Sequence, residues 1–347
     1  MNDFIASIDR PEIVAGIMIL ALNAYALMGG ADFGGGVWDL LASGPRRERQ
    51  RELISGTIAP IWEANHVWLI VVVVMLFTAF PAAYGVLSVV LHVPLSLMLV
   101  GIVLRGSAFV FRSYGSRTRE DRRRWGLAFA IASTITPLLL GDIVGALSSG
   151  GVADAARRVG RGAFVEVFVS PWLAPFPLAV GALALALFSF LAAVYLTVAA
   201  QDDEVREDFR RRALASAVAV FVTAGIALLL ARGEASRVGI GLTAGRLAVA
   251  VQVATGVAAV VAIGALWRRR YPLARLAAGA QVSFILWGWA LAQYPYLIPP
   301  TLAIRDAAAP AATLELLLWA LAGGAVILIP ALVYLFRTFN APVRRAL

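Results

Sequence analysis

Long apolar runs, separated by short charged or Pro/Gly-rich breaks, follow one another along the whole chain. A helix needs about twenty mostly apolar residues to cross a bilayer, and nine runs are about that long or longer. The pattern predicts an all-α integral membrane protein with nine transmembrane helices, forming a single polytopic domain over residues 1–347. The predicted spans are 13–41, 54–80, 83–111, 125–148, 175–199, 213–231, 243–266, 273–294 and 314–336.

The distribution of arginine predicts the orientation of these spans, because cytoplasmic loops of membrane proteins carry an excess of basic residues. The chain has no lysine, and Arg-rich loops alternate with Arg-poor ones. Loops on one side hold 21 arginines and those on the other hold eight, with Arg105 inside a span. We predict that the N-terminus lies outside and the C-terminus lies in the cytoplasm. The acidic N-terminal segment is not expected to be a cleaved signal peptide.

Composition supports a membrane protein and excludes several kinds of chemistry. Hydrophobic residues make up 61% of the 347 residues and charged residues 15%, against roughly 45–50% and 25% in soluble domains. Because cysteine is absent, disulfides, thiolate metal sites and Fe–S clusters are excluded for this chain. The formal net charge of +9 comes from loop arginines, so no nucleic-acid partner is expected.

Polar residues inside the predicted spans are candidates for function, because a charge at membrane depth is costly unless it is paired, protonated or hydrated. Span 2 contains Trp62, Glu63 and His66, span 1 contains Asp32, and span 3 contains Arg105. The three charged groups all lie in the cytoplasmic half of consecutive helices, so they could meet. Two interpretations stay open: a proton or ion path from the cytoplasm, and a structural salt bridge that ties three helices together.

Glycines surround Asp32 in the stretch 29–36, which reads Gly-Gly-Ala-Asp-Phe-Gly-Gly-Gly. A glycine destabilises a helix interior by up to about 1 kcal/mol relative to alanine, so another segment is expected to approach the backbone closely here. Small residues at helix crossings are the usual reason in membranes. Close packing is therefore the favoured interpretation, and a bend beside Asp32 is the alternative.

Three other polar residues within the spans have weaker interpretations. Asp142 in span 4 is interpreted as the hydrated end of a helix, with an exit-side polar residue as the alternative. His66 and His92 are both placed near mid-depth, and a haem ligated by both is one hypothesis. A hydrogen bond or proton exchange between His66 and Glu63, three residues apart on one helix face, is preferred. No cofactor or metal site is predicted for this chain alone.

Several motifs stand in a characteristic order along the chain. They are Gly30-Ala31-Asp32-Phe33-Gly34, Trp62-Glu63-x-Asn65-x-Val67-Trp68-Leu69, Phe77-x-Ala79-Phe80-Pro81-x-x-Tyr84, Leu104-Arg105-Gly106-x-x-Phe109-x-Phe111-Arg112, and Gln293-Tyr294-Pro295-Tyr296 followed by Asp306. In order and spacing, this set resembles subunit II of the cytochrome bd-type quinol oxidases. The resemblance is strong over 29–112, fair over 281–336 and thin between them.

The resemblance implies two four-helix bundles plus one peripheral helix, in a subunit that binds no haem of its own. A haem-bearing subunit I is expected to hold haem b, haem d and the quinol site. The complex would oxidise quinol and reduce O2 to water in the bacterial cytoplasmic membrane. Glu63 matches an acid that helps to pass cytoplasmic protons toward the haems, with Asp32 and Arg105 as charge partners and Trp62 and His66 beside it. The predicted partners also include membrane lipids, a small single-helix accessory subunit and a structural quinone or lipid.

The chain departs from the family pattern at three positions. Glu63 replaces the usual Asp, while His66 and Val110 stand where acids are common. The chain is therefore expected to be a divergent member, in which the proton route, the electron donor or the reduced substrate could differ. Two hypotheses from other classes stay open: a structural scaffold subunit of a haem membrane complex, and a proton-coupled secondary transporter. Against transport, the sequence shows no repeat symmetry and no second interrupted span.

Overall fold

The computed structural model describes residues 9–58, 62–115 and 118–340, except for the side chains at 58, 62–64, 113–114, 119 and 335–340. This part of the chain is almost entirely helical. The helices are α1 Arg10–Leu40, α2 Arg47–Ile58, α3 Trp62–Ala79, α4 Pro81–Val90, α5 His92–Val110, α6 Arg119–Ser149, α7 Gly151–Arg158, α8 Phe164–Phe168, α9 Pro175–Ala199, α10 Asp203–Glu234, α11 Ser236–Thr243, α12 Arg246–Trp267, α13 Tyr271–Gln293 and α14 Ala311–Asn340. A π-helical turn, Phe111–Gly115, follows α5, and two short antiparallel strands, β1 Tyr296–Ile298 and β2 Leu302–Ala303, precede α14.

Seven of the described helices are long and apolar enough to cross a bilayer, so the chain is a multi-pass membrane protein. These helices are α1, α5, α6, α9, α10, α12 and α14. α3 and α4 would together supply an eighth span, but the two are bent by 116° relative to each other. The 23-residue α13 coincides with the predicted span 273–294, but it has no 18-residue stretch as apolar as those of the seven.

The predicted span 54–80 has the wrong beginning. Its first residues belong to α2, which ends at Ile58, and a separate helix, α3, begins at Trp62. α2 carries five charged side chains in its first six residues, Arg-Glu-Arg-Gln-Arg-Glu, so it is too polar to enter the apolar layer. Residues 54–58 therefore belong to a charged helix, and α3 forms the described remainder of the predicted span.

The predicted span 83–111 is also wrong, because two helices, α4 and α5, occupy it. Pro81 begins α4, where its missing N–H group breaks no hydrogen bond. Pro94 explains the end of α4, since its ring would collide with the carbonyl of Val90 in a continuous helix. The backbone accordingly leaves helical geometry at Leu91, with φ −102° and ψ 19°.

α9 lies at the centre of the helix packing. It contacts α1, α6, α10 and α13, and it buries a continuous run of side chains from Ala186 to Leu191. α1 also packs against α3 and α6, α5 packs against α6, and α12 packs against α13. α14 makes few contacts, chiefly with α1 and α3, and most of its apolar side chains beyond Leu321 are exposed.

The glycine stretch 29–36 lies inside a continuous helix, so the chain does not bend beside Asp32. A Cβ atom at Gly34 would overlap the carbonyl oxygen of Phe188 on α9. A Cβ atom at Gly30 would press on Leu191, and one at Gly36 would overlap Ser133 of α6. Close packing, the favoured interpretation of this stretch, is confirmed.

Substitution of Gly34 by alanine should destabilise the protein, because the new methyl group meets backbone rather than a movable side chain. Overpacking of this kind costs about 1–3 kcal/mol. Gly16 on the same helix is the matched control, since a Cβ atom there would have nothing within 4 Å. Gly16→Ala should leave stability unchanged or raise it by about 0.5–1 kcal/mol. Thermal unfolding of both variants in detergent would test this, and equal melting temperatures would contradict it.

Candidate functional site

Asp32 and Arg105 form an ion pair in the interior, as the depth argument predicted. Arg105 Nη2 contacts Asp32 Oδ1 and also donates to the backbone oxygen of Asp32 at 3.1 Å. Arg105 Nε donates to Ser133 Oγ at 2.9 Å. The two charged side chains are 0–2% exposed. The pair therefore connects α1, α5 and α6 at membrane depth.

Aromatic rings enclose the guanidinium group of Arg105. Its Cζ atom lies 4.7 Å from the centre of the Phe33 ring and 5.1 Å from that of Phe129. Both arrangements are cation–π contacts, which strengthen when water is excluded. Arg105 thus has an anion, a hydroxyl, a carbonyl and two rings as partners, and its position is strongly determined.

A second ion pair lies about two helical turns closer to the predicted cytoplasmic side. The sequence prediction missed this pair. Arg112 donates to both carboxylate oxygens of Asp39, at 2.9 and 3.2 Å. Arg51 of α2 lies 3.6 Å from the same carboxylate. Asp32 and Asp39 are seven residues apart on α1, and Arg105 and Arg112 are also seven apart. This matched spacing was the available signal, since residues at i and i+7 share a helix face.

The other predicted site residues begin α3. Trp62 and Glu63 occupy its first turn, and their side chains lie outside the described residues, so their roles stay predictions. His66 is partly buried one turn further along. Its predicted contact with Glu63 stays untested for the same reason.

His92 is not at mid-depth, which corrects the prediction. It begins α5, is exposed, and contacts the backbone oxygen of Val89 through Nδ1 at 2.8 Å. Its ring centre lies 4.9 Å from that of Phe168 on α8, within the predicted outer loop. His66 lies near the start of α3, whereas His92 lies beyond the end of α3 and after α4. The structure does not bring the two imidazoles together, so it gives no support to a haem ligated by both.

Asp142 is not a hydrated helix end, contrary to the prediction. It is 4% exposed and lies about two turns inside the end of α6, at Ser149. Its Oδ1 atom has no hydrogen-bond partner among the described residues. A Cβ atom placed on Gly181 of α9 would lie 3.5 Å from the Asp142 Cβ, so the acid lies at the contact between α6 and α9.

Ion pairs hold α2 against the start of α10 on the predicted cytoplasmic side. Arg46 donates to both carboxylate oxygens of Asp208, at 2.8 and 2.6 Å, and this bond raises the pKa of Arg46. Arg49 binds Asp202 at 2.5 Å, and Asp202 also caps α10. Burial alone would raise the pKa of Asp202, but the amides of Glu204 and Val205 and the Arg49 guanidinium lower it below its usual value.

A cavity of about 920 Å³ lies among α1, α6 and the helices from α9 to α13. Its lining is mainly aliphatic, from residues such as Leu22, Leu183, Val220 and Ile285. Gln252, Gln281 and Trp289 are among its few polar side chains. Trp289 Nε1 is already bonded to Ser148 Oγ at 2.7 Å. In shape and chemistry the cavity suits a long apolar chain more than a polar solute.

No group of three His, Asp or Glu side chains is arranged to hold a metal ion within the parts of the chain that the structure describes.

The family model for cytochrome bd terminal oxidase subunit II matches residues 10–339, nearly the whole chain. The chain belongs to this family. It is therefore a subunit II of a cytochrome bd-type terminal oxidase. The predicted family resemblance is confirmed.

Individual relatives agree with this assignment. The chain is 26% identical over 325 residues to "Putative cytochrome bd menaquinol oxidase subunit II" of Bacillus subtilis (strain 168), with 91% of each protein covered. It is 28% identical over 187 residues to "Cytochrome bd-I ubiquinol oxidase subunit 2" of Escherichia coli (strain K12), which covers 53% of this chain and 46% of that protein. The fold is similar to a chain of the bd oxidase structure from Geobacillus thermodenitrificans, with a TM-score of 0.77 and 23% identity, covering 95% of this chain and 98% of that one.

Proposed function

We propose that this subunit II helps to deliver cytoplasmic protons to haems held by subunit I, while the complex oxidises quinol and reduces O2 to water. The observation that carries the proposal is the buried Asp32–Arg105 pair in the membrane interior of a chain from this family. Ionisable groups at such depth mark proton or substrate paths in many membrane proteins. Family membership also favours the oxidase over the transporter considered above.

Each proposed site residue has a distinct part in proton transfer. Glu63 is the group that accepts and releases the proton, and His66 and Trp62 lie beside it on α3. Arg105 binds Oδ1 of Asp32, while Oδ2 has no partner among the described residues and is available as a hydrogen-bond acceptor. The haems expected on subunit I supply electron transfer and O2 chemistry. The residues of subunit II only transfer protons or hold in place the groups that transfer them.

The proposed topology keeps nine membrane crossings, with the N-terminus outside and the C-terminus in the cytoplasm. α3 with α4 and α13 would supply the crossings beyond the seven apolar helices. The first four and the next four crossings would form two bundles, and α14, the least packed long helix, would be the peripheral one. The ion pairs of Arg46, Arg49 and Arg112 lie on the side with excess arginine, which supports this orientation.

The membrane around this subunit is expected to be the bacterial cytoplasmic membrane, and subunit I is expected to pack on part of its apolar surface. α3 exposes Ile70, Val73, Val74 and Phe77. α5 exposes Leu99, Val100 and Val103 in the same way. These surfaces suit lipid, subunit I or a small single-helix accessory subunit.

The 920 Å³ cavity is proposed to hold a structural quinone or lipid by its apolar tail. Organic extraction of the washed, purified complex followed by mass spectrometry should release one such molecule per complex. An extract that contains only lipids in the proportions of the surrounding membrane would contradict this assignment.

Purification tests the main proposal directly. A tag on this chain should bring down a haem-bearing partner, and the complex should be coloured by b- and d-type haem absorption. It should also consume O2 when supplied with a quinol. A stable, colourless protein that purifies alone and moves a solute would overturn the proposal.

A further inference from the structure

Four buried polar atoms on α1 and α3 have no hydrogen-bond partner among the described residues. They are Tyr25 Oη, Asp32 Oδ2, Asn65 Nδ2 and Asn65 Oδ1. The three side chains that carry them are 0–1% exposed. The ion pair with Arg105 occupies Oδ1 of Asp32 and leaves Oδ2 without a partner in the described part of the chain.

These three side chains lie close together. Tyr25, Gly29 and Asp32 stand at positions i, i+4 and i+7 of α1, so they share one helix face. Asn65 of α3 lies over the middle of this face, since a Cβ atom on Gly29 would be 3.1 Å from its Nδ2 atom. The Tyr25 ring lies 6.4 Å, centre to centre, from the Phe33 ring, which the Arg105 guanidinium also contacts. The glycine thus lets the Asn65 amide approach the face of α1 that carries Tyr25 and Asp32.

The chemistry of the four atoms is complementary, yet they do not bond to one another. The amide nitrogen is a donor, the phenol is both donor and acceptor, and the two remaining oxygens are acceptors. Buried polar groups are almost always satisfied by protein or by ordered water. A buried water needs two to four polar partners, and this site offers four. Trp68 Nε1, one turn along α3 from Asn65, is a further donor without a partner among the described residues.

We propose that Tyr25, Asn65 and Asp32 bind one or more ordered water molecules that bridge α1 and α3. The site rests on geometry alone, whereas its role rests on the function proposed above. A water here accepts a proton from one neighbour and releases another to the next, so no charge accumulates at the site. Tyr25 and Asn65 are then positioning residues that hold the water, while Asp32 Oδ2 orients it.

Two variants of the complete oxidase complex test the site. Tyr25→Phe removes only the hydroxyl, and Asn65→Leu replaces the amide by an apolar group of similar size. Thr136→Val is the matched control, because this buried hydroxyl bonds to Ala132 of its own helix at 2.7 Å and lies outside the proposed site. Cryo-EM maps that resolve ordered water should show density touching Tyr25 Oη and Asn65 in the wild type. That density should be absent in Asn65→Leu.

Kinetics provide the second measurement. Turnover of Asn65→Leu should fall about tenfold, less than the full contribution of a general acid or base because nearby water can partly substitute. Its solvent isotope effect in D2O should rise, with haem content unchanged. Thr136→Val should match the wild type in turnover and in solvent isotope effect.

Three outcomes would overturn the inference. A map in which Tyr25, Asn65 and Asp32 bond directly without water density would exclude the site. Wild-type turnover and isotope effect in Asn65→Leu, with Glu63→Gln impaired, would reject the water relay and leave the proposed function standing. Wild-type turnover in both Asn65→Leu and Glu63→Gln would reject the proton-delivery function and the water relay together.

Discussion

Glu63→Gln should lower quinol-driven O2 consumption by about a hundredfold, at the low end of what general acid–base groups contribute. The amide keeps the size of the side chain but cannot carry a proton, so proton delivery should become limiting. Haem content and assembly with subunit I should persist, because the substitution removes no bulk. The measurements are O2 uptake with a quinol donor and the absorption spectrum of the purified complex.

Two control variants accompany Glu63→Gln. Glu52 is an exposed acid on α2, so Glu52→Gln should leave turnover unchanged. Glu63→Asp keeps a proton carrier and introduces the residue more usual in the family, so it should retain most of the activity. Normal turnover in Glu63→Gln would remove this residue from the relay. Loss of haem along with activity would instead indicate a defect in assembly.

The sequence predicted most of the long helices because long apolar runs have few alternatives inside a bilayer. The predicted spans 175–199 and 243–266 agree with α9 and α12 to within three residues at either end. Apolar length alone does not reveal a change of direction, however. Pro81 and Pro94 were the local signals that divided the region from 62 to 110 into three helices, and their effect on direction depends on tertiary packing.

The candidate site was predictable in part. The meeting of Asp32 and Arg105 follows from helix depth, since unpaired charges at equal depth in neighbouring helices strongly favour pairing. Asp39 was missed because it lies near a helix end, where a carboxylate is easily interpreted as hydrated. Its burial comes from Arg112 and from Arg51 on α2, and Arg51 lies in a segment, 46–51, that was predicted as a cytoplasmic loop.

Asp142 could not be assigned from sequence for a related reason. Its distance from the helix end depends on where α6 stops, and its burial depends on α9 approaching through Gly181. Neither quantity is contained in the hydropathy of a single span. Glycines that permit close packing therefore determine which acids are exposed to water and which are enclosed.

Arg105→Met should be the most destabilising substitution at the site. Removing one partner of a buried ion pair leaves an uncompensated charge, at a typical cost of about 3–5 kcal/mol. Here Asp32 would lose its contact at Oδ1 while Oδ2 already lacks a partner among the described residues. The melting temperature of the complex should fall clearly. Arg124→Met, in the exposed pair with Glu120, should change stability by less than about 0.5 kcal/mol.

The double variant Arg105→Met with Asp32→Asn separates the two interpretations of the pair. It removes both charges together, so stability should recover most of what Arg105→Met loses, because no buried charge is left unpaired. A purely structural salt bridge would then permit near-normal O2 consumption. We expect turnover to stay low, since a neutral amide at position 32 has no negative charge with which to stabilise a passing proton. Recovery of stability and turnover together would establish that the ion pair only fixes the helices.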